Sequence, residues 1–375
     1  MLEGKNIEVL DSTLREGEQT PGVFFTIDQK LSLAKKLDLF GVDFIEIGHP
    51  AVAPDIYEAV EALNSLELKA KKIVHGRSSK SDINDARVLG VEWIGIFYGT
   101  SPLSRKYKFN VNKVTCLSQI EKAIKYAKDQ GLKLRFTAED ASRTEESFLI
   151  KVATLAQKSG ADRFSFADTV GCLTPSKSKR IISKIVREID IPVHVHFHND
   201  FGMGTANSLS ALEGGAQCVD LTINGLGERC GLAPLAEVIT ALVSIYSRRK
   251  DCWNLELIPT LTDLVNKICN FNSKVNQPII GENAFTHKAG IHSKGILKNP
   301  VTYEAFSPQI VKRDRKILIN KFSGVSTLEG KLKSLNLKLT KKELGLAITK
   351  IKSFKTKNDW SEKELHLLVE NIKES

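Results

Sequence analysis

Three histidines in the run Val193-His-Val-His-Phe-His-Asn-Asp200 alternate with apolar residues. In an extended strand, alternate side chains share a face, so His194, His196 and His198 point the same way. A single buried histidine is ordinarily satisfied by backbone or water. His-x-His at a strand end is better suited to holding a metal ion, because neutral imidazole is a common ligand for divalent cations. Such a site also needs a carboxylate, and the rest of the chain has to supply it.

The elements positioning these residues follow a regular alternation. Short runs rich in Val, Ile and Phe at 7–10, 44–47, 72–75, 93–97, 133–136, 163–166, 193–197 and 219–223 are separated by segments of helical period. The helical segments are 28–39, 54–64, 81–89, 117–130, 145–159, 175–188 and 205–214, with another at 234–247. This pattern predicts an α/β fold, a (β/α)8 TIM barrel over residues 1–255. An open doubly wound sheet fits less well, since Asp11-Ser-Thr-Leu-Arg-Glu stands where a glycine-rich phosphate turn would follow the first strand. Residues 256–375 read as a linker and a small C-terminal helical subdomain, with a loop at 281–292 and helices at 326–335, 341–354 and 361–372.

In such a barrel, chemistry gathers at the C-terminal ends of the strands. Polar groups concentrate there: Arg15 and Glu16, Glu46 and His49, His75, Arg135 with Glu139 and Asp140, Asp168 and Thr169, His196 and His198, then Asn224, Glu228 and Arg229. Together they imply a single-site enzyme holding a hard or borderline divalent cation through His196, His198 and a carboxylate.

Composition sets limits on the alternatives. The 375 residues are 42% hydrophobic and 26% charged, an ordinary balance for a soluble globular chain. No apolar run approaches a membrane span, and no signal-like segment opens the chain, so a cytoplasmic enzyme with no membrane partner is expected. The net charge of +10 comes from lysines spread along the sequence, without a nucleic-acid-binding motif, and implies no nucleic-acid partner. Six scattered cysteines lack a C-x-x-C pair and read as reduced, buried small hydrophobes.

Four segments carry a family resemblance. Asp11-Ser-Thr-Leu-Arg-Glu-Gly-Glu-Gln, His196-Phe-His198-Asn-Asp, Asn224-Gly-Leu-Gly-Glu-Arg and the run Gly281 to His292 resemble the signatures of the metal-dependent, acyl-transferring TIM-barrel family of isopropylmalate, citramalate and homocitrate synthases, which also contains hydroxymethylglutaryl-CoA lyases. The resemblance implies a divalent cation (Mg, Mn, Zn or Co) on Glu16, His196 and His198, with acetyl-CoA as co-substrate. It implies that Arg15 faces the keto oxygen of a 2-oxo acid, oriented by Glu46. Acid/base work on the acetyl group then falls to Glu139, His292 and Tyr303, and Thr169 binds the carboxylate beside the ketone. A homodimer is implied as well.

Departures within the family bear on the substrate. Arg15-Glu16, and Leu232 after Gly-Glu-Arg-Cys-Gly, resemble the homocitrate synthase pattern more than the isopropylmalate synthase pattern. Arg135 and Thr137, with His75, resemble the residues that meet the distal carboxylate of 2-oxoglutarate. A guanidinium there needs an anionic partner, which a branched aliphatic keto acid would not supply. The expected reaction is condensation of acetyl-CoA with 2-oxoglutarate to homocitrate and CoA, in lysine biosynthesis; 2-oxoisovalerate or pyruvate are the alternative acceptors. Lysine-inhibited relatives carry acids where this chain has Gly95 and His194, so feedback by lysine is not expected. His194 reads as a core histidine.

Overall fold

The computed structural model describes residues 6–247, 252–355 and 359–374, and divides into two compact units between Asn272 and Ser273. In the first unit, eight parallel strands form a closed barrel in sequential order: β1 (Glu8–Asp11), β2 (Phe44–Gly48), β3 (Lys71–Arg77), β4 (Trp93–Gly99), β5 (Lys133–Glu139), β6 (Arg163–Asp168), β7 (Val193–Phe197) and β8 (Cys218–Leu221). The sheet closes where Glu8 to Asp11 pair with Cys218 to Leu221. Helices α1 (Ile27–Phe40), α2 (Pro54–Asn64), α3 (Lys80–Val88), α4 (Lys113–Asp129), α5 (Glu146–Lys158), α6 (Pro175–Glu188), α7 (Gly204–Glu213) and α8 (Leu235–Ser244) follow the strands in turn. This is the (β/α)8 barrel that the sequence pattern predicts.

Local chemistry starts and stops these helices. Thr26 and Gln29 form a reciprocal capping box on α1, while Ser79 and Asn112 cap α3 and α4. Prolines open α2 and α6, where a missing N–H costs nothing. In α6, Ser178, Ile181, Ile182 and Ile185 recur at helical spacing and are buried against the barrel. Along β5, Leu134, Phe136 and Ala138 are fully buried under this helical layer, leaving Arg135, Thr137 and Glu139 on the other face. The same alternation turns Val193, Val195 and Phe197 outward and the three histidines inward.

Several expectations need revision. Helix α9 (Ile258–Cys269) belongs to the barrel unit, so the boundary falls after Asn272 and not at 255/256. Its buried Ile258, Leu261 and Val265 need an apolar partner, and it packs with α1 and the turn at Ile223–Gly225, where Asn224 donates to Thr262 O at 3.3 Å and Asn266 Oδ1 at 3.0 Å. Strand β8 ends at Leu221, because that turn puts Asn224 in the left-handed region. Among the free cysteines, Cys116, Cys218 and Cys269 are buried, but Cys172, Cys230 and Cys252 are exposed.

The second unit contains β9 (Thr286–His287) paired in parallel with β10 (Lys316–Ile317), then α10 (Gly290–Lys298), α11 (Val325–Ser334), α12 (Lys341–Ser353) and α13 (Glu362–Lys373). Leu328, Leu332, Leu344, Ile351, Leu365 and Leu368 form its core. Capping boxes at Thr340/Glu343 and Ser361/Glu364 start α12 and α13. The stretch 281–292, expected to be a loop, therefore contributes His287 to a short strand and His292 to α10.

Candidate metal and acyl-transfer site

Glu16, His196 and His198 are buried together, with one potential ligand atom from each lying within 4.8 Å of the others. Glu16 sits in the tight turn after β1, where its N–H donates to Ser12 O at 2.8 Å. Its carboxylate accepts from Arg15 Nη1 and, at 3.3 Å, from the Glu228 N–H. Burial pushes the Glu16 carboxyl up, but Arg15 and then the two histidines outweigh this and hold it at about 2. His198 is pushed down to about 4, by burial first and by His196 next, so its ring is neutral near pH 7. An ionised carboxylate and a neutral imidazole are the protonation states a divalent cation requires.

The remaining ring atoms fit the same assignment. His196 Nδ1 lies 3.2 Å from Asp220 Oδ2, the carboxylate–histidine arrangement that frees the other nitrogen for a metal. His198 Nδ1 is buried with no hydrogen-bond partner. Two imidazoles and a carboxylate are a donor set suited to Mg, Mn, Zn or Co, and these residues fit such a cation.

Around the cluster, the barrel interior is filled by charge. Glu46 is fully buried, and each of its oxygens meets two donor residues. One takes Ser12 Oγ and Arg15, whose Nε and Nη2 are both at 2.7 Å; the other takes Arg135 Nη2 at 2.9 Å and His75 Nδ1 at 3.1 Å. Burial pushes Glu46 up, and the two guanidinium groups hold it well below the usual carboxylate range. Arg135 Nη1 also donates to Asp220 Oδ2 at 2.9 Å. His75 stacks on Phe97 at 4.9 Å and is pushed down to about 4 by burial and then by Arg15.

Arg135 corrects one premise. The guanidinium was expected to need an anion from the substrate, yet Glu46 and Asp220 already neutralise it, and the residue is 1% exposed. Gly95 makes the room: a Cβ there would sit 3.1 Å from Arg135 Nη2. The Nε of Arg135 and the Oγ1 of Thr137 are buried without a partner.

A cavity of about 200 Å³ is lined by Arg15, Glu16, His75, Arg135, Thr137, Glu139, Thr169, His196 and His198, with Gln19, Phe97, Asp220, Glu228 and Arg229. Glu46 lies just behind it. Thr169 Oγ1 accepts from the Asp140 N–H at 2.9 Å, and Glu139 is paired with Lys108 Nζ at 2.7 and 2.8 Å. Lys108 stands on a π-helical turn, Ser104–Phe109. His292 and Tyr303 lie in the second unit, where their rings stack at 4.1 Å. His194 is fully buried, as expected of a core histidine.

Sequence reading missed Asp220, Lys108 and Gln19. Asp220 had a signal, being the one charge within the apolar run Cys218-Val-Asp-Leu221. Lys108 had none among its neighbouring lysines.

Residues 6–265 match the HMGL-like family model, and residues 279–359 match the model described as homocitrate synthase post-HMGL domain-like. The structural boundary after Asn272 falls between the two. The chain is 42% identical to a homocitrate synthase from Saccharolobus solfataricus over 371 residues, 98% of this chain and 80% of that one. It is 45% identical to a homocitrate synthase from Sulfurisphaera tokodaii over 352 residues, 92% of this chain and 76% of that one. Among solved structures, a hydroxymethylglutaryl-CoA lyase from Pseudomonas aeruginosa superposes with a TM-score of 0.65 at 18% identity, over 74% of this chain and 97% of that one; this likeness concerns the fold. With a family model covering most of the barrel unit and relatives matched over nearly the whole chain, this chain belongs to the homocitrate synthase family of acetyl-transferring TIM-barrel enzymes.

Proposed function

We propose that the chain condenses acetyl-CoA with 2-oxoglutarate, giving homocitrate and CoA, with a divalent cation on Glu16, His196 and His198. The observation that carries this reading is the shared cavity: the three candidate ligands line the same 200 Å³ space as Arg15, Arg135 and Thr137. A cation held by Glu16, His196 and His198 would supply Lewis-acid polarisation of the keto group. Arg15, fixed by Glu46 and Glu16, provides a preorganised positive charge where an alkoxide develops. Thr169 is assigned to the carboxylate beside the ketone. His75, Thr137 Oγ1 and Arg135 Nε are assigned to the distal one, the last two being donors without protein partners. Proton transfers at the acetyl group are assigned to Glu139, His292 and Tyr303 by the family resemblance. A place in lysine biosynthesis, a cytoplasmic location and a homodimer belong to the same proposal.

The internal pairing of Arg135 favours keeping a second reading. A neutralised guanidinium tolerates a smaller or apolar acceptor side chain, so 2-oxoisovalerate and pyruvate stay in the test. Release of CoA, followed with a thiol reagent, is measured with each of the three 2-oxo acids and Mg²⁺ or Mn²⁺. The expected kcat/KM is highest for 2-oxoglutarate; preference for either of the others overturns the substrate assignment.

A further inference from the structure

His194 takes no part in the chemistry proposed above, yet it is the most enclosed of His194, His196 and His198. Its surroundings determine which nitrogen carries its proton. Arg163 Nη1 lies 3.0 Å from His194 Nε2. A guanidinium has donors only, so Nε2 is the acceptor. A neutral imidazole that accepts at Nε2 carries its hydrogen on Nδ1, and Nδ1 faces Asp220 Oδ1 at 3.4 Å. The other oxygen of that carboxylate faces His196 Nδ1 at 3.2 Å and Arg135 Nη1 at 2.9 Å. An ionised carboxylate only accepts, so His196 must donate from Nδ1 and keep its Nε2 lone pair free.

Arg163 starts this chain of donors in a fixed pose. Its Nη1 donates also to Glu8 Oε2 at 2.5 Å, and its guanidinium lies 4.7 Å from the ring centre of Phe44 and 5.6 Å from that of Trp93. The Phe44 ring meets His194 edge-on at 5.8 Å and limits its rotation. A carboxylate can turn about its Cβ–Cγ bond, and a donor on Oδ1 is what fixes the plane that aims Oδ2.

We infer that His194 is a positioning residue: it carries the donor direction of Arg163 to Asp220 and thereby holds His196 in the tautomer and orientation that present Nε2 to the cation. The inference rests on the assignment of His196 as a metal ligand.

Asparagine and glutamine separate the two ends of the imidazole. In His194→Asn the amide nitrogen occupies roughly the place of Nδ1 and keeps the donor to Asp220. In His194→Gln the amide reaches toward Arg163 and the donor to Asp220 is lost. The metal-stripped full chain is titrated with Mn²⁺, and the free ion is followed by its six-line electron paramagnetic resonance spectrum; circular dichroism checks that each variant is folded. His194→Gln is expected to bind Mn²⁺ about 10-fold to 100-fold more weakly, the usual effect of losing an outer partner of a ligating histidine. His194→Asn is expected to bind like the parent.

Arg163→Met provides an independent variant and is expected to weaken Mn²⁺ binding in the same direction, because it frees His194 to adopt the other tautomer. Equal affinity in parent, Asn and Gln variants overturns the inference and leaves the metal assignment standing, as does an Asn variant as weak as the Gln variant. A parent chain that takes up no Mn²⁺ overturns the metal assignment and the inference together.

Discussion

Glu46→Gln perturbs the site where its charges are most closely coupled. The substitution preserves shape and removes one negative charge. Each oxygen of Glu46 meets one guanidinium and one further donor, so the amide NH2 must face either Arg15 or Arg135. Ser12 Oγ can rotate to accept, and His75 can change tautomer, but neither guanidinium can accept a hydrogen bond. One buried arginine is therefore opposed by a donor whichever way the amide is placed. Breaking a buried ion pair by removing one partner costs about 3–5 kcal/mol. The lower end applies, because Arg15 keeps Glu16 and Arg135 keeps Asp220. A loss of about 3 kcal/mol lowers the melting temperature of a unit of this size by roughly 6–12 °C. Losing the aim of Arg15 is expected to reduce kcat by about 10²–10³, the scale found when one oxyanion donor is removed. Thermal melting by circular dichroism and initial rates of CoA release measure the two effects. A variant that melts within about 1 °C of the parent and keeps most of its activity would refute the claim that Glu46 holds both arginines.

Other perturbations probe separate parts of the framework. His198→Ala should lose Mn²⁺ binding and CoA release together; activity without bound metal would remove the metal assignment. Arg135→Met should raise KM for 2-oxoglutarate and also weaken Mn²⁺ binding, since Asp220 loses its closest cationic partner beside His196; unchanged metal affinity would show that Asp220 is held without it. Asp11 supplies a pH test. Its carboxyl is raised from 3.8 to about 7, chiefly by burial, with Oδ2 unpartnered. A folded pKa above the unfolded one means the folded state binds more protons, so this group's contribution falls as pH rises from about 4 to about 7. Relative to Asp11→Asn, the parent should lose up to about 1.4 kcal/mol per pH unit across that window in urea unfolding; parallel curves would show that Asp11 ionises freely. Lysine is expected not to inhibit CoA release. Gly95 lies beneath the Arg135 guanidinium and the adjoining His194 is neutral, so neither of these positions offers a carboxylate to an ammonium group; competitive inhibition by lysine would place its site elsewhere.

The barrel was legible because its signals are local. Eight β-branched and aromatic runs separated by helical segments specify the layers, and the alternation in the run 193–198 alone predicts that His196 and His198 share a face. Glu16 is placed by the turn after β1, and its role came from the resemblance of Arg15-Glu16 and not from periodicity. What the sequence concealed were pairings between distant strands. Arg135 on β5 reads as a lone charge until β2 brings Glu46 and β8 brings Asp220 to within 2.9 Å of its guanidinium. Gly95 reads as the loss of an acid until the same guanidinium is seen lying against it. The unit boundary slipped for a similar reason: α9 looks like the start of an appendage, and its contacts with α1 and with the turn at Ile223–Gly225 return it to the barrel.

A (β/α)8 barrel usually fills its interior with layers of branched apolar side chains. This one places Glu46, Arg135, Asp220 and His194 there instead, and all four are at most 1% exposed. Two carboxylates bracket one guanidinium, and each carboxylate also holds a residue facing the cavity: Glu46 holds Arg15, and Asp220 holds His196. Burying such a set contributes little to stability on its own, because desolvation offsets the attraction. Its value lies in direction. Arg15 and His196 at the cavity wall are each tied to a carboxylate that cannot move without leaving a buried charge unpaired, so their geometry is fixed before any ligand arrives. Arg135 thus connects the candidate metal ligand on one side with the candidate oxyanion donor on the other, and a change at either should be felt at both. A double variant of Glu46→Gln with His194→Gln tests this: the effects on Mn²⁺ affinity should be non-additive, whereas two independent sites would give the sum of the separate changes in binding free energy.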